Sequence, residues 1–317
     1  MGTYIVKRVI HSLPLLAAVI IFSFFVIHIM PGDPVRTLLG DRAPVEQVVS
    51  MTKSLGLDQP LAIQFTAWLK NLLHCDFGTS ISLGEPAFPL ILQRVEPTFL
   101  LGIIGTLISV VVGIPLGILS VQHQGKWTEN LFALPALVSI SVPAFWTAIL
   151  MIQLLAVKIH LFPVAGYHVI ARYGLLQALY DLLLPGLILG IMYCGQIARM
   201  TKVSTLEIMD QDYLLTARAA GISERKILYY YALKNSLPSI IVVIGYSFAS
   251  MLAGAVVIEQ IFNIPGLGNL TITSILNRDY PVIQGVLIFI TIIFIIINML
   301  TDILCAYVNP KIKHEIE

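Results

Sequence analysis

Six long apolar runs punctuate the chain, at roughly residues 9–29, 98–121, 132–157, 182–198, 240–258 and 282–308. Each approaches or exceeds the about 20 predominantly apolar residues that carry a helix across hydrocarbon. The pattern predicts an all-α integral membrane protein with six transmembrane helices and both termini on one side. The first run follows Lys7 and Arg8 and continues into Met30-Pro31-Gly32-Asp33 without a small-residue cleavage site, so a retained anchor is expected. The boundaries expected from this pattern are an N-terminal helix with its following segment over 1–97, a five-helix membrane domain over 98–308 and a tail over 309–317.

Two polar connections are too long to be links. In residues 30–96, Pro44 to Leu55 reads as a helix stopped by Gly56. A second helix starting at Pro60 is predicted because Leu61, Phe65, Trp68, Leu69 and Leu72 recur at helical spacing, with Gln64, Lys70 and Asn71 on another face. That stripe suits either a cap packed on the bundle or a docking surface for a partner protein. The other connection, residues 199–235, carries ten charged residues within 37.

Composition fixes the solvent. With 57% hydrophobic and 12% charged residues and a mean hydropathy of +0.87, the chain is far from soluble proteins, in which about a quarter of residues are charged. The net charge of +1 gives no reason to expect a nucleic-acid partner. Lys and Arg set orientation: eleven fall on the side of the termini and eight on the other, although the latter segments are longer. This favours cytoplasmic termini, an extracytoplasmic 30–96 and a cytoplasmic 199–235. Cys75, Cys194 and Cys305 have no metal-ligand spacing, and scattered His28, His160 and His168 make no readable metal site.

Within 199–235 stands Asp212-Tyr213-Leu214-Leu215-Thr216-Ala217-Arg218-Ala219-Ala220-Gly221. Asp212 as N-cap and Gly221 just past the C-terminus predict a two-turn helix about 12 Å long. Tyr213 and Ala217 share a face, Ala217, Ala219 and Ala220 admit close approach, and Arg218 offers a planar cationic fork. These features suit a docking helix, and on the residues alone they suit an ordinary amphipathic loop helix better.

The decapeptide closely resembles the D-Y-x-x-T-A-R-A-x-G form of the cytoplasmic EAA loop in the dipeptide, oligopeptide and nickel permeases of ABC importers. Arg199, Ser204 and Glu207 precede it, and Ala232-Leu233-Lys234-Asn235-Ser236-Leu237-Pro238 is similar to that family's A-L-R-N-A-L-x-P, giving a loop of about 199–238. Further matches are Gly32-Asp33-Pro34, Leu55 to Pro60, Asp76-Phe77-Gly78-Thr79-Ser80, Ser141 to Trp146, Gly254 to Glu259, Pro265-Gly266-Leu267-Gly268 and Asn277 to Val282. Leu215 stands where the general pattern has glutamate, Pro238 falls one residue early, and Cys305, Asn309 and Lys311 replace the frequent Tyr, Asp and Arg.

The resemblance implies a permease subunit that forms half of a pore for dipeptides or oligopeptides, or for nickel or metal chelates. Its implied partners are a second homologous permease subunit, two ABC ATPase subunits and an extracytoplasmic solute-binding protein. It implies a coupling helix made by Asp212, Tyr213, Thr216, Ala217, Arg218, Ala219 and Gly221, docked on an ATPase between the fourth and fifth spans. It also implies an outer gate at Glu259, Pro265 and Gly266; for Glu259 a polar span end facing water is the equal alternative. ATP and Mg are expected on the ATPases, with no cofactor on this chain: Gly125-Lys126 is followed by Trp127 and lacks the phosphate loop's upstream glycine. An enzyme is not expected, since neither HExxH nor GxSxG occurs. A secondary active transporter of a small polar solute stays as the alternative, although no repeat is evident and only Asp302 lies well inside a run. For Asp302 both a functional acid and a structural hydrogen bond are open.

Overall fold

A computed structural model describes residues 2–29, 34–39, 43–54 and 56–308. The expected matches at Gly32-Asp33, Leu55, Asn309 and Lys311, and the tail over 309–317, lie outside the described residues.

In chain order the helices are α1 (Gly2–Ile29), α2 (Pro34–Leu39), α3 (Val45–Ser54), α4 (Leu61–Leu73), α5 (Ala87–Gln122), α6 (Trp127–Ser141) and α7 (Ala144–Met151). They continue with α8 (Ile170–Tyr173), α9 (Leu175–Met209), α10 (Asp212–Ala219), α11 (Glu224–Lys226), α12 (Leu233–Ile261), α13 (Leu267–Leu276) and α14 (Tyr280–Val308). Two segments are π-helical: Ile152–Lys158 extends α7, and Ile227–Ala232 joins α11 to α12.

Five helices are long and apolar enough to cross a membrane, within Val6–Phe25, Ala87–Gln122, Leu175–Met209, Glu224–Ile261 and Tyr280–Val308. The run expected as one span over 132–157 is instead a bent pair, α6 and α7 with its π extension, turned by 100°. Val142 is extended there and Pro143 precedes α7. Proline holds the preceding residue out of the α region and has no N–H to continue the ladder. A sixth span exists if both arms cross together. Pro115, Pro135 and Pro185, by contrast, lie inside helices.

By packing, the described chain forms two compact units, to both of which α1, α5 and α14 contribute. One contains 97–265 with short pieces of both termini. Its core gathers Leu101, Leu182, Ile188, Ala255, Ile258 and Phe262 from α5, α9 and α12. Close approach fixes the crossings. A Cβ on Gly195 would clash with the Ala136 carbonyl and the Ser139 hydroxyl of α6, and one on Gly117 would lie 2.6 Å from the Ala198 carbonyl oxygen. Asp302 lies on α14 and pairs with Arg8 at 2.9 Å, a structural role for the acid singled out in the last run.

The other unit holds residues 10–96 and 266–295. Its core packs Ala87, Ile91, Leu267, Val282 and Val286 together. The α4 stripe is half-buried through Phe65 and Trp68, whose rings lie 5.2 and 5.7 Å from Phe24 of α1. Leu61, by contrast, is exposed. Asp279, 1% exposed, accepts hydrogen bonds from the Ser80 and Ser82 hydroxyls at 2.5 and 2.7 Å and from the Ile81 and Ser82 amides at 3.0 and 3.2 Å. Two motifs read separately in the sequence are thus joined by one buried carboxylate.

Candidate functional site

The decapeptide is a helix, α10, seated by one side chain. Leu214 is fully buried among Ile227 and Ala232, with Ile208, Ala217, Ile222 and Tyr231 packed around them. The π-helical turn supplies the other wall of that seat through Ile227 and Ala232.

The N-terminus differs from expectation. Gln211 is the N-cap and makes no side-chain cap bond; Asp212 is the first helical residue. Its carboxylate there still complements the positive end of the helix dipole. The C-terminus closes as a Schellman motif: Ile222 N–H donates to Ala217 C=O at 3.2 Å, and Gly221 N–H to Arg218 C=O at 2.9 Å. Gly221 has φ +78° with open space around it, so backbone conformation and not crowding calls for glycine.

Around the seated Leu214, α10 presents Asp212, Tyr213, Leu215, Thr216 and Ala219 exposed, with Ala217 and Arg218 half-buried. Leu215, at the position of the missing glutamate, is 55% exposed, so an apolar knob replaces an acid on that surface. Two side-chain links reach α10 from neighbouring elements. Asn235 Nδ2 donates to the Tyr213 hydroxyl at 3.1 Å and to the Tyr231 carbonyl at 2.9 Å, and Arg218 Nε donates to Glu224 Oε1 at 2.9 Å. The cationic fork is therefore partly engaged within the chain, using one of its five N–H donors. Asn235 was legible only as part of a motif; its link to Tyr213 follows from the π turn that brings the start of α12 to α10.

The residues of the expected gate lie in different surroundings. Glu259, in the last turn of α12, is fully buried and accepts from Thr98 Oγ1 at 2.5 Å. It is not a water-facing span end. Pro265 is half-buried after Ile264, whose N–H donates to the Glu259 carbonyl at 2.8 Å. Gly266, in the other unit, is the extended N-cap of α13 and is buried.

Further acids and bases were not singled out by the sequence. Asp181 on α9 accepts from the His168 amide and Nδ1 at 2.9 and 2.8 Å and from Gln177 at 2.9 Å. Lys202 on α9 pairs with Glu129 on α6 at 2.5 Å. Among the described residues no group of three or more His, Cys, Asp or Glu could hold a metal ion.

The family model for the inner membrane component of binding-protein-dependent transport systems matches residues 113–314, and its N-terminal companion model matches residues 1–99. The chain belongs to this family. The permease is 40% identical over 99% of its length to a Brucella abortus (strain 2308) protein provisionally named a peptide transport system permease, covering all of that protein. It is 32% identical to the oligopeptide transport system permease AppB of Bacillus subtilis (strain 168), again over 99% of this chain and 100% of the relative. With the glutathione transport system permease GsiC of Salmonella typhimurium (strain LT2) it shares 34% identity at the same coverage. A chain of the MetNI methionine ABC transporter, solved in an inward facing conformation, has the same fold: the TM-score is 0.56 at 20% identity, covering 69% of this chain and 96% of that one. The permease is thus a multi-pass inner membrane component of an ABC importer, not the secondary active transporter kept open from its sequence.

Proposed function

We propose that the permease forms half of the translocation pore of a peptide importer and that α10 is the element through which partner ATPases drive it. The observation that carries this reading is the seating of α10: a capped two-turn helix held by buried Leu214, with Tyr213, Leu215, Thr216 and Ala219 left exposed. A preformed helix loses little conformational freedom on docking, so more of the contact energy is available to hold a partner. The seat is made by the end of α9 and the π-helical turn that leads into α12, through Ile208 and Ala232, with the Asn235 to Tyr213 bond added from α12 itself. A displacement of α10 is passed to two spanning helices. ATP-driven closure of the ATPases then switches the pore as a rigid-body coupling of distant sites.

In this reading α10 and both termini are cytoplasmic, a second homologous permease completes the pore, and a solute-binding protein delivers cargo from outside. ATP and Mg stay on the ATPase subunits. Glu259 and Pro265 belong to the outer gate, where full burial and the bond from Thr98 hold Glu259 in place. Cargo is assigned to di- or oligopeptides because the named relatives are peptide, oligopeptide and glutathione permeases.

The test is reconstitution with the partner subunits. Arg218→Glu sets an acid beside Glu224, and Gly221→Pro fixes φ near −65° and removes the Gly221 N–H from the cap. Both variants are expected in the membrane in normal amounts, with peptide uptake lost and ATP hydrolysis no longer linked to it. Normal uptake by both would sink the assignment of α10.

A further inference from the structure

A cavity of about 190 Å³ lies beside the two close helix crossings at Gly117 and Gly195. Its walls are Ser120 of α5, Phe132, Ala136 and Leu137 of α6, and Ala198 of α9, and its polar end carries Arg199 and Lys202 of α9. The volume is that of about six waters. Those walls offer such waters few partners, and ordered waters need two to four each. The apolar part of the cavity therefore favours hydrocarbon.

The cationic end favours an anion. Lys202 is engaged by Glu129, which also accepts the Gly125 amide at 2.8 Å. Arg199, exposed, has no hydrogen-bond or ion-pair partner among the described residues. Two cations against one carboxylate leave a single positive charge for an occupant. Leu131, Leu134, Leu137 and Val138 of α6 are each more than half exposed, so one wall of the cavity continues into an apolar outer surface. Trp127, 82% exposed at the start of α6, is the residue type that sits at headgroup depth. Hydrocarbon within, one uncompensated guanidinium of α9 at the rim and an interfacial tryptophan at the start of α6 describe the two ends of one amphiphile.

We infer that this cavity is a binding site for an anionic phospholipid, with its phosphate on Arg199 and the first methylenes of one acyl chain between α6 and α9. Arg suits this role because its fork binds phosphate through paired N–H groups. A lipid there would wedge α6 against α9 beside the Lys202 to Glu129 pair. The site is independent of the proposed role of α10.

The experiment is native mass spectrometry of the full transporter after exchange into nanodiscs of phosphatidylglycerol or of phosphatidylcholine. Wild-type protein is expected to retain phosphatidylglycerol through delipidation and to release phosphatidylcholine. Arg199→Gln removes the phosphate contact, and Leu137→Trp fills the apolar part while leaving Arg199 in place. Arg199→Gln is expected to lower phosphatidylglycerol retention about fivefold, the weight of one Lys or Arg at an anionic surface, and Leu137→Trp is expected to lower it as well. Unchanged retention in both variants, equal retention of the two lipids, or displacement by soluble glycerol phosphate would each overturn the proposal.

Discussion

The ends of α10 and α12 close with the same backbone motif and differ in what they bury. At α10 the left-handed position is Gly221, and the helix is held by one fully buried side chain, Leu214, with most of its length exposed. At α12 the left-handed position is Asn263, φ +49°, and Ile264 N–H returns to the Glu259 carbonyl at 2.8 Å. There the acid itself, with Ile258, Phe262 and Ile264, is inside the core. One end can detach from the fold at the cost of one buried anchor and two exposed side-chain links; the other cannot move without exposing a packed core and a hydrogen-bonded carboxylate. The difference separates an element suited to transmit movement from one suited to resist it.

The largest expected effect is at the anchor. Leu214→Ala should cost about 2–5 kcal/mol of the seating of α10, as large-to-small changes in cores do. It should be read as protease cleavage within 210–222 while the end of α12 stays protected. Equal sensitivity at both ends would erase the contrast.

Thr98→Val should destabilise the whole transmembrane fold by about 1–3 kcal/mol, since a buried carboxylate loses a donor. A lowered midpoint of thermal unfolding in detergent, with unchanged cleavage at α10, checks it. Smaller still, Asn235→Ala and Tyr213→Phe should each loosen α10 by about 0.5–1.5 kcal/mol. Because both remove the same bond, the double variant should be no worse than Asn235→Ala alone. Arg218→Gln should leave stability unchanged, its pair with Glu224 being largely exposed, and should lower uptake only.

The apolar runs were enough to show an all-helical membrane chain, because a helix in lipid must satisfy its backbone within itself and cannot hide its composition. Helix ends were readable where glycine marked them, at Gly56 and Gly221. They were silent at Cys75, Asn263 and Arg278, which take the left-handed position at the ends of α4, α12 and α13 without the residue that announces it. Proline at 143, like Pro115 and Pro185, was readable as a kink; that it breaks its helix while the other two lie inside theirs was not. The decapeptide was readable as a helix, but its seat was not. Leu214 and Leu215 are adjacent and identical, and only the packing of Ile227 and Ala232 decides which is buried. Likewise, Asp279 and Ser80 are 199 positions apart, and nothing in local pattern pairs them.

The most direct test of α10 as the docking helix is site-specific cross-linking in the assembled transporter. Cys75 is exposed and would first be replaced by serine, while Cys194 and Cys305 are buried and can stay. A cysteine at Ala219, on the exposed side of α10, is predicted to cross-link to an ATPase subunit and to lose that product in the Gly221→Pro background. Absence of any ATPase product from positions 215, 216 and 219, in a complex that still hydrolyses ATP and imports peptide, would contradict the account.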